Sequence, residues 1–571
     1  MNYINKIIAL GLFISIWVSC EKEPEVPPST TPEIPTPGYV FELQSGNNLY
    51  GQITDALTGE PIVGVPVSDG YNYVKTDKGG YYQMKAYQAT GEHARTVSVS
   101  VPADYELPFG TDGLPAFYQY IQRDAEGLCR RDFTLTKRAK ACNDFTIMAL
   151  ADIHIQKDAH LMRFQNETLP DLLNTIQVGE QNGLYKNTIV ITLGDNVWDN
   201  SAQYTPVKQA LSNLKCSNGR IVNLIPCIGN HDTMQKEGTT DFTVTQRYVD
   251  NFGPLDFSFD IGKVHVIFMK NFVRSGAGSG NTTETKGGLL ETQFNWLKKD
   301  IEMVKDKKNK LLIYCGHYPV HEMAIIGGGT QREFYAQLQQ FREVHCFTGH
   351  HHGVYNNILT SFESRAGYPI YDHNQVSAAG AWWNSHLNPD GVPNGYMIYN
   401  ISGNSLSEWY FKATDQQLEN CQLRIYDGAE KYNTTSSWLS GKQYSWATMV
   451  DEMSFGETLT DKYIVKVFDA DSKNWTVELE QDGKKVPLTR VNSNIYDICT
   501  YVYAYDKYPL NSSYHKNEYS RYKVKNTNYW YIDKSKIDLD KEWVVRAIHT
   551  QRDGSKTEYR CSKIHQGYDE F

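Results

Sequence analysis

Short apolar runs alternate with amphipathic segments between Phe145 and about residue 411. The apolar runs have the length of strands and are FTIMAL, NTIVITL, IVNLIPCI, KLLIYC and VHCFT. Between them, the segment LLETQFNWLKKDIEMV places apolar side chains on one helical stripe, at Leu290, Phe294, Leu297, Ile301 and Val304. Buried strands joined by helices predict an α/β layer architecture in which the sheets are covered on their faces.

The segments before and after this region have β patterns. From about Asn47, the stretch LYGQITDALTGEPIVGVPVSDGYNYVKTDKGGYYQMKA predicts a small β-sandwich over residues 45–137. After residue 411, KYIVKVFDADSKNWTVELEQDGKKVPLTR and WVVRAIHTQRDGSKTEYR predict strand pairs with Asp-Gly turns in a β domain over residues 415–571. The aromatic stretches YVYAY and NYWYI could form a carbohydrate-stacking platform. Aromatic strand preference favours sandwich core and strand surface instead.

The first 20 residues form a segment of a different kind. The apolar run IIALGLFISIWVS has signal-peptide length and is followed by Cys20. This pattern resembles a bacterial lipoprotein signal over residues 1–20, cut before Cys20, whose thiol then carries lipid. Residues 21–44 are rich in proline and threonine and predict a stiff tether. We expect an extracytoplasmic protein, lipid-anchored to the outer membrane at Cys20; a plain secretory peptide and an uncleaved anchor are the alternatives.

Composition indicates a soluble globular protein. The chain has 571 residues, 40% of them hydrophobic and 21% charged, and its length suggests about three domains. The formal net charge of −10 argues against a nucleic-acid-binding surface, which is usually basic. Ten cysteines without a CxxC pair do not indicate a disulfide framework, and Cys227, Cys315 and Cys346 are expected to be buried. No sequence feature indicates an obligate protein partner.

Polar clusters follow the apolar runs directly. They contribute Asp152 and His154, Asp195, Asn230 with His231 and Asp232, His317, and His350 with His352. Chemistry in α/β sheets gathers outside the carboxyl ends of strands, so clusters that are far apart in sequence can converge. In the last cluster, FTGHHHGV, residues i and i+2 of an extended backbone share a side. His350 and His352 can therefore point to one site, while His351 points elsewhere.

The clusters supply oxygen and nitrogen donors for a metal site. The candidate ligands are Asp152, His154, Asp195, Asn230, His317, His350 and His352. The set lacks a thiolate, which excludes a structural cysteine-zinc site, and it suits two divalent cations such as Mn, Fe or Zn. Asp195 can use one oxygen for each cation and so hold the two about 4 Å apart.

The ordered motifs D-x-H, G-D, G-N-H-D, G-H and G-H-x-H resemble those of the calcineurin-like metallophosphoesterases. This resemblance implies a β-sandwich core flanked by helices over residues 142–411. It also implies two sets of ligands: Asp152, His154, Asp195 and His352 for one cation, and Asp195, Asn230, His317 and His350 for the other. His231 is then the catalytic histidine that binds no metal.

The flanking segments resemble one branch of that family. The turns GQITD, GEPIVGVPVSDG and TDKGGYYQM are similar to those of the carboxypeptidase-regulatory type of β domain. A bacterial lipoprotein branch has such a domain before the catalytic domain and a β domain of its own after it. The stretch GAWWNSHLNPDGVPNGY matches a recurring stretch of that branch. The expected fold class is therefore an α/β (α+β) core with small all-β domains on both sides.

The chain departs from the family pattern after the bridging aspartate. Where some members have Asp three residues later, this chain has Trp198, and Asp199 follows one step on. Either Asp199 or Asp232 could orient His231. The purple acid phosphatases have a tyrosine ligand at the position of Trp198, and tryptophan cannot replace it. The resemblance therefore does not extend to that branch.

The resemblance implies metal-dependent hydrolysis of a phosphate ester, monoester or diester. A hydroxide that bridges the two cations would attack phosphorus in line, and His231 would stabilise charge or protonate the leaving alcohol. Two other functions stay open: a surface lipoprotein that binds glycans or lipids without catalysis, and a hydrolase that cleaves the pyrophosphate bond of nucleotide-sugars. The complete ligand set argues against the first of these.

Overall fold

The computed structural model describes residues 39–274, 285–360, 369–417, 421–433, 443–444, 446, 459–491, 493–507, 524–551 and 554–565. The predicted signal segment, Cys20 and most of the predicted tether lie outside the described residues. Within these ranges, no helix is both long and apolar enough to cross a membrane. Cys227, Cys315 and Cys346 are buried free thiols, as expected.

Short strands in the first part of the described chain form two small sheets and one separate two-stranded pair. They are β1 Leu49–Asp55, β2 Pro66–Ser68, β3 Tyr73–Lys75, β4 Tyr81–Met84, β5 Gln88–Ala89, β6 Glu92–His93, β7 Thr96–Val99, β8 Tyr118–Tyr120, β9 Cys129–Arg130 and β10 Phe133–Leu135. One sheet has the order β10-β1-β4, with β9 also paired to β1, and the other has the order β3-β2-β7-β8. Buried and half-buried residues alternate along β1, as expected for a strand with one face on a core.

The central part contains the predicted alternation of strands and helices. Its strands are β11 Asp144–Leu150, β12 Ile189–Thr192, β13 Asn223–Ile225, β14 Phe257–Ile261, β15 Val264–Phe268, β16 Phe272–Val273, β17 Lys286–Leu290, β18 Leu311–Cys315, β19 Ala324–Ile326, β20 Glu343–Thr348, β21 Tyr355–Leu359, β22 Ile370–Asn374, β23 Gly395–Ser402 and β24 Ser405–Ala413. Its helices are α1 Asp158–Arg163, α2 Leu169–Gln181, α3 Tyr204–Leu211, α4 Gln246–Phe252, α5 Glu291–Met303 and α6 Gln331–Leu338.

Two mixed sheets form the framework of this part. One has the order β13-β12-β11-β23-β24, in which β11, β12 and β13 are parallel. The other has the order β14-β15-β18-β20-β22-β21, in which β15, β18, β20 and β22 are parallel. The parallel strands are adjacent to one another in each sheet. Antiparallel strands extend one edge of the first sheet and both edges of the second. The carboxyl ends of the parallel strands therefore lie together at one end of each sheet.

The two sheets face each other across a buried core. Ile147 and Ala149 of β11 belong to one cluster with Ile313 of β18 and Phe347 of β20. Phe347 stacks on Tyr399 of β23 with the ring centroids 4.0 Å apart. This packing joins a strand of one sheet to a strand of the other. The β-sandwich is thus the arrangement that buries the apolar runs on one face.

Helices cover the outer faces of the sandwich. Met148 and Leu150 of β11 cluster with Leu172 and Ile176 of α2. On the other sheet, Leu312 and Tyr314 cluster with Phe294 and Leu297 of α5. Both faces of these strands are buried, which explains why their sequences are continuous apolar runs rather than alternating ones. The predicted fold class, a sandwich core flanked by helices, is confirmed.

The last part of the described chain returns to strands, with one helix. Its elements are β25 Leu423–Asp427, β26 Tyr432–Asn433, β27 Gln443–Tyr444, β28 Lys462–Val467, β29 Trp475–Gln481, β30 Lys484–Pro487, β31 Thr489–Arg490, β32 Ile495–Tyr496, α7 Ile498–Lys507, β33 Lys525–Asn526, β34 Tyr529–Asp533, β35 Trp543–Thr550, β36 Lys556–Cys561 and β37 Ile564–His565. The larger sheets have the orders β31-β34-β28-β25-β37 and β30-β29-β35-β36. Asp482 and Gly483 join β29 to β30 with φ of 51° and 70°, as an Asp-Gly hairpin turn requires.

The aromatic stretch YVYAY does not form a strand. It lies in helix α7, where Ile498, Tyr501 and Val502 are buried against the neighbouring sheet. The interpretation as strand was wrong because period-2 alternation of tyrosines over five residues does not separate a strand from a short helix. The other stretch, NYWYI, does form strand β34. The segments that flank the sandwich are predominantly β, as expected, and the predicted domain boundaries remain predictions.

Both flanking segments pack on the central sandwich through polar contacts. The Tyr73 hydroxyl donates to Asp300 Oδ1 at 2.7 Å, and Trp296 Nε1 donates to Ser68 Oγ at 2.9 Å. On the other side, Asn356 Nδ2 donates to Asp469 Oδ1 at 2.7 Å. Residues 41–571 accordingly form one compact unit.

Candidate metal centre

The predicted ligands all lie at the carboxyl ends of parallel strands. Asp152 and His154 follow β11, Asp195 follows β12, Asn230 and His231 follow β13, His317 follows β18, and His350 and His352 follow β20. The structure brings all of these residues to one site, although they span 200 positions of the chain. The side chains of Asp152, His154, Asp195, His317 and His352 are at most 5% exposed.

One group of donor atoms surrounds Asp152. His154 Nε2 lies 2.8 Å from His352 Nε2. Asp152 Oδ1 lies 3.5 Å from His352 Nε2 and 3.7 Å from His154 Nε2. These three residues form a cluster whose ligand atoms all lie within 4.8 Å of one another.

A second group of donor atoms lies around Asn230. Its Oδ1 is 3.0 Å from His317 Nε2 and 3.1 Å from His350 Nδ1. Asp195 lies between the groups, because its Oδ2 is 3.2 Å from His317 Nε2 and 3.4 Å from His154 Nε2. The Asp195 carboxylate therefore faces both sets of ligands.

The donor set fits divalent cations. An ion with four ligands at about 2.1 Å in a tetrahedron places neighbouring donors about 3.4 Å apart, and the distances in the first group bracket that value. Burial opposes charge on His317, but the nearby Asp195 and Asp152 raise its pKa to about 9. The two buried carboxylates thus attract positive charge. Oxygen and imidazole donors without thiolate suit Mn, Fe or Zn.

The backbone at the site is strained. Non-glycine residues with φ between 48° and 77° at or beside the site are Asp152, His154, Asp195, Asp199, His350, His352, Trp382 and Trp383. In the rest of the described chain, the non-glycine residues with positive φ are all Asn or Asp. Asn and Asp tolerate this conformation best. Histidine and tryptophan do not, so their strain at the site must be offset by contacts.

The glycines of the motifs allow close approach of the loops. A Cβ on Gly229 would lie 2.1 Å from the Asp195 nitrogen and 2.2 Å from its Oδ1. Any side chain at this position would therefore displace the carboxylate that faces both ligand groups. The G-N-H-D motif thus depends on the space that glycine leaves at its first position.

Asp199 is the carboxylate that contacts His231. Its Oδ2 lies 2.8 Å from His231 Nδ1. Asp232 points away and accepts hydrogen bonds from the backbone nitrogens of Val197 and Gly229, both at 2.8 Å. Asp232 therefore ties the loop after β12 to the loop after β13. The His231 side chain is 28% exposed, more than the buried ligands around it.

Electrostatic interactions favour a charged His231. Burial lowers the tendency of its imidazole to take a proton, but Asp195 and Asp199 outweigh this effect and raise its pKa above the usual value. Burial likewise opposes ionisation of Asp195, but the imidazoles of His317, His231 and His154 hold its pKa well below the usual range. The site thus pairs an ionised carboxylate with a histidine that favours its protonated form.

Asn271 and Arg274, which follow β15, form hydrogen bonds to the loops of the site. Neither residue was identified from the sequence. Asn271 Oδ1 accepts from the backbone nitrogens of His317 and Tyr318 at 2.8 and 2.9 Å. Arg274 donates to the Asn230 carbonyl oxygen and lies 3.6 Å from Asp199 Oδ1. The signal was present, because Asn271 also follows an apolar run, VHVIFM, in the same way as the other clusters do.

Three segments of the chain match models of one family. Residues 145–354 match the calcineurin-like phosphoesterase model, residues 47–138 match the model for the N terminal of calcineurin-like phosphoesterase, and residues 372–551 match the one for its C terminal. The chain belongs to the calcineurin-like phosphoesterases. It is therefore a phosphoester hydrolase, and the family implies that divalent metal ions bind at the site described above.

More than one solved structure is similar to this chain. The fold is similar to that of a purple acid phosphatase isolated from yellow lupin (Lupinus luteus) seeds, with a TM-score of 0.33. The sequence identity is 11%, over 62% of this chain and 68% of the lupin chain. No curated protein sequence matches the chain.

Aromatic rings surround the ligands of this phosphoesterase. Trp382 stacks on His352 with the centroids 4.4 Å apart and the planes at 29°. Trp198 contacts His154 edge-on at 5.5 Å and His231 at 6.2 Å. On the opposite side, Tyr318 stacks on His350 at 3.7 Å.

The two consecutive tryptophans have different environments. Trp383 is buried in the core, and its Nε1 donates to the Ile153 carbonyl at 2.8 Å. Trp382 is half-buried and lies at the ligands. Core packing therefore accounts for Trp383 alone.

His351 lies apart from both ligand groups. Its Nε2 is 2.9 Å from Glu322 Oε1, and its side chain is 32% exposed. Glu322 also lies 3.5 Å from His321 Nε2. His351 thus has a carboxylate partner at the edge of the site, and its predicted dispensability for metal binding remains a prediction.

Proposed function

We propose that the phosphoesterase hydrolyses phosphate monoesters or diesters at a dinuclear metal centre. The observation that carries this proposal is the position of Asp195. Its Oδ2 lies within 3.4 Å of a donor nitrogen in each ligand group, so one carboxylate can serve two cations. Asp152, His154 and His352 would complete one cation site, and Asn230, His317 and His350 the other.

When bound, the two cations would supply Lewis-acid activation of a water and neutralise charge on the phosphoryl oxygens. The protein contributes the proton transfer. Asp199 accepts at His231 Nδ1, so the imidazole has Nε2 left for the substrate. A protonated His231 can then stabilise negative charge on the phosphoryl group or give its proton to the leaving alcohol. This division of roles matches a half-buried histidine beside more deeply buried candidate ligands.

A non-catalytic surface protein is the weaker alternative. A chain that only binds glycans or lipids has no need for seven convergent donors and a carboxylate-oriented histidine. Pyrophosphate cleavage of nucleotide-sugars would use the same metal centre, and no described contact favours it over ester hydrolysis.

Hydrolysis of p-nitrophenyl phosphate and bis-p-nitrophenyl phosphate tests the proposal. We expect cleavage of at least one ester with added Mn and loss of cleavage after chelation. His231→Ala should retain both metals and lose most of kcat, by a factor of about 10² to 10⁴. His351→Ala is the matched control and should keep both metals and activity. Metal-independent cleavage, or none at all, would contradict the proposal.

We further propose that Cys20 carries lipid and that the protein is anchored to the outer membrane on its periplasmic or cell-surface side. The apolar run before Cys20 and the proline-rich residues after it support this proposal. Cys20→Ser should release the protein from the membrane fraction and abolish incorporation of labelled palmitate. If the Cys20→Ser variant takes up no palmitate but stays in the membrane fraction, an uncleaved apolar segment anchors the protein instead.

A further inference from the structure

The strained backbone beside the ligands includes two tryptophans. Trp382 and Trp383 have φ of 48° and 63°. A bulky residue is strained in this left-handed region, whereas glycine adopts it readily. Among described residues, positive φ at a tryptophan occurs only here.

Several hydrogen bonds hold the tryptophan pair in place. The Trp383 nitrogen donates to the Ala379 carbonyl at 2.8 Å, and Trp383 Nε1 donates to the Ile153 carbonyl at 2.8 Å. Arg163 Nη1 donates to the Trp383 carbonyl at 2.6 Å. Trp383 is therefore the anchor of the turn. The result of this arrangement is that the ring of Trp382 lies on His352 rather than in the core.

The aromatic rings near the reacting groups are unevenly distributed. Trp198 lies beside His154 and His231, and Trp382 lies beside His352 and His154, with 6.4 Å between the Trp382 and His154 centroids. Both tryptophans are half-buried. On the other side of the site, Tyr318 is only 7% exposed and belongs to the core cluster.

The position of His231 decides which side receives the leaving group. Asp199 occupies His231 Nδ1, so Nε2 is the atom left to face a bound ester, and the departing oxygen of the proposed reaction lies next to it. The ring of Trp198 is the nearest aromatic neighbour of His231, after His154 itself. The alcohol part of the substrate would therefore come against Trp198 and Trp382 and away from Tyr318.

We propose that Trp198 and Trp382 form a leaving-group subsite for phosphate esters of cyclic alcohols. The shared chemistry is a ring with a flat face next to the ester oxygen, as in an aryl or a sugar ring. Tryptophan rings stack on such faces, and the stacking depends little on polar substituents. This inference rests on the proposed function and assigns to it a class of substrate.

Differential kinetics tests this subsite. The substrates are phenyl phosphate, glucose 1-phosphate and the acyclic glycerol 3-phosphate. If the unmodified enzyme cleaves diesters faster than monoesters, the corresponding diesters replace them. We expect Trp198→Ala and Trp382→Ala to lower kcat/KM about tenfold for the ring esters and less than about twofold for the acyclic ester. The ring ester with the larger loss identifies the favoured ring. Trp198→Phe and Trp382→Phe should restore most of the loss.

Binding of inert analogues provides a readout without turnover. Phenylphosphonate and butylphosphonate have a stable carbon–phosphorus bond, and calorimetry gives their dissociation constants on the Mn-loaded protein. The alanine variants should weaken phenylphosphonate about tenfold and leave butylphosphonate nearly unchanged. Trp543→Ala is the control, since Trp543 is a half-buried tryptophan of β35, remote in sequence from the motifs.

Two results would overturn the subsite. One is an equal loss for ring and acyclic substrates. The other is a fall in bound metal in the Trp382 variant that accounts for the whole loss, because Trp382 would then only position His352. Failure of the unmodified enzyme to cleave any ester would instead refute the proposed function, while the phosphonate titrations would still measure ring selectivity.

Discussion

Asp199 Oδ2 lies 2.8 Å from His231 Nδ1, and this contact selects one of the two carboxylates that could orient the histidine. Asp232 is engaged with the backbone of Val197 and Gly229 instead. The two aspartates therefore have separable effects. Asp199 acts on the candidate catalytic histidine, and Asp232 acts on the loops that carry candidate ligands.

Asp199→Asn should reduce kcat without loss of metal. The neutral amide lacks the negative charge of the Asp199 carboxylate. His231 therefore loses the charged partner that orients its ring and favours its protonated form. We expect a decrease in kcat of about 10² to 10³, measured beside metal content by mass spectrometry. Asp232→Asn is the comparison and should lower the free energy of unfolding by about 1–3 kcal/mol. A larger kcat effect from Asp232→Asn would reverse the assignment.

Substitutions in the three-histidine stretch should separate ligands from their neighbour. His350 lies 3.1 Å from Asn230 Oδ1 and His352 lies 2.8 Å from His154 Nε2, whereas His351 contacts Glu322. We expect His350→Ala and His352→Ala each to weaken binding of one cation more than tenfold. His351→Ala should leave both affinities within about twofold. Isothermal titration with Mn distinguishes these cases.

Asn271→Ala should weaken metal binding although Asn271 is not a candidate ligand. Its Oδ1 accepts from the backbone nitrogens of His317 and Tyr318, and its Nδ2 donates to the Tyr318 carbonyl at 2.7 Å. Loss of these bonds frees the loop that carries His317. We expect Mn affinity to fall by about 10- to 100-fold and the free energy of unfolding by about 1–3 kcal/mol.

Asn271→Asp serves as the matched variant for this test. It keeps the acceptor and loses the donor, so it should have an intermediate effect on both quantities. Unchanged Mn affinity in Asn271→Ala would show that the loop is held by other contacts.

His265 should make stability depend on pH above neutrality. Its Nδ1 lies 2.6 Å from Asp260 Oδ1 and its Nε2 lies 2.9 Å from Asp300 Oδ2. Burial opposes its charge, but Asp300 and Asp260 outweigh burial and raise its pKa from 6.5 to about 9. Since the folded pKa is raised, the stabilisation is complete below pH 6.5 and is lost as pH rises through about 9.

Urea unfolding at several pH values measures this effect. The free energy of unfolding should fall by about 3 kcal/mol at most between pH 6 and pH 10 because of His265. In His265→Gln this part of the pH dependence should disappear, although the variant is less stable throughout. A parallel decline in both proteins would assign the pH dependence to other groups.

The convergence of the candidate ligands could be predicted because each one is a local feature of the sequence. An apolar run marks a strand, and a polar cluster directly after it marks the carboxyl end of that strand, where Asp195 and His317 both lie. Asn271 obeys the same rule and was missed because no family motif includes it. The stretch YVYAY shows where a local pattern fails. Its alternation suggested a strand, but five residues are too few to exclude a helix, and the stretch lies in α7.

The sequence by itself determined the fold class, the donor set and the order of the motifs, because periodicity and strand-end clusters depend only on neighbours along the chain. Tertiary structure alone decided that Asp199 contacts His231 and that Trp382 faces the ligands while Trp383 enters the core. These choices depend on backbone dihedrals in the left-handed region and on contacts between segments up to 230 residues apart. A pattern of residue types specifies neither the backbone dihedrals nor the contacts between distant segments.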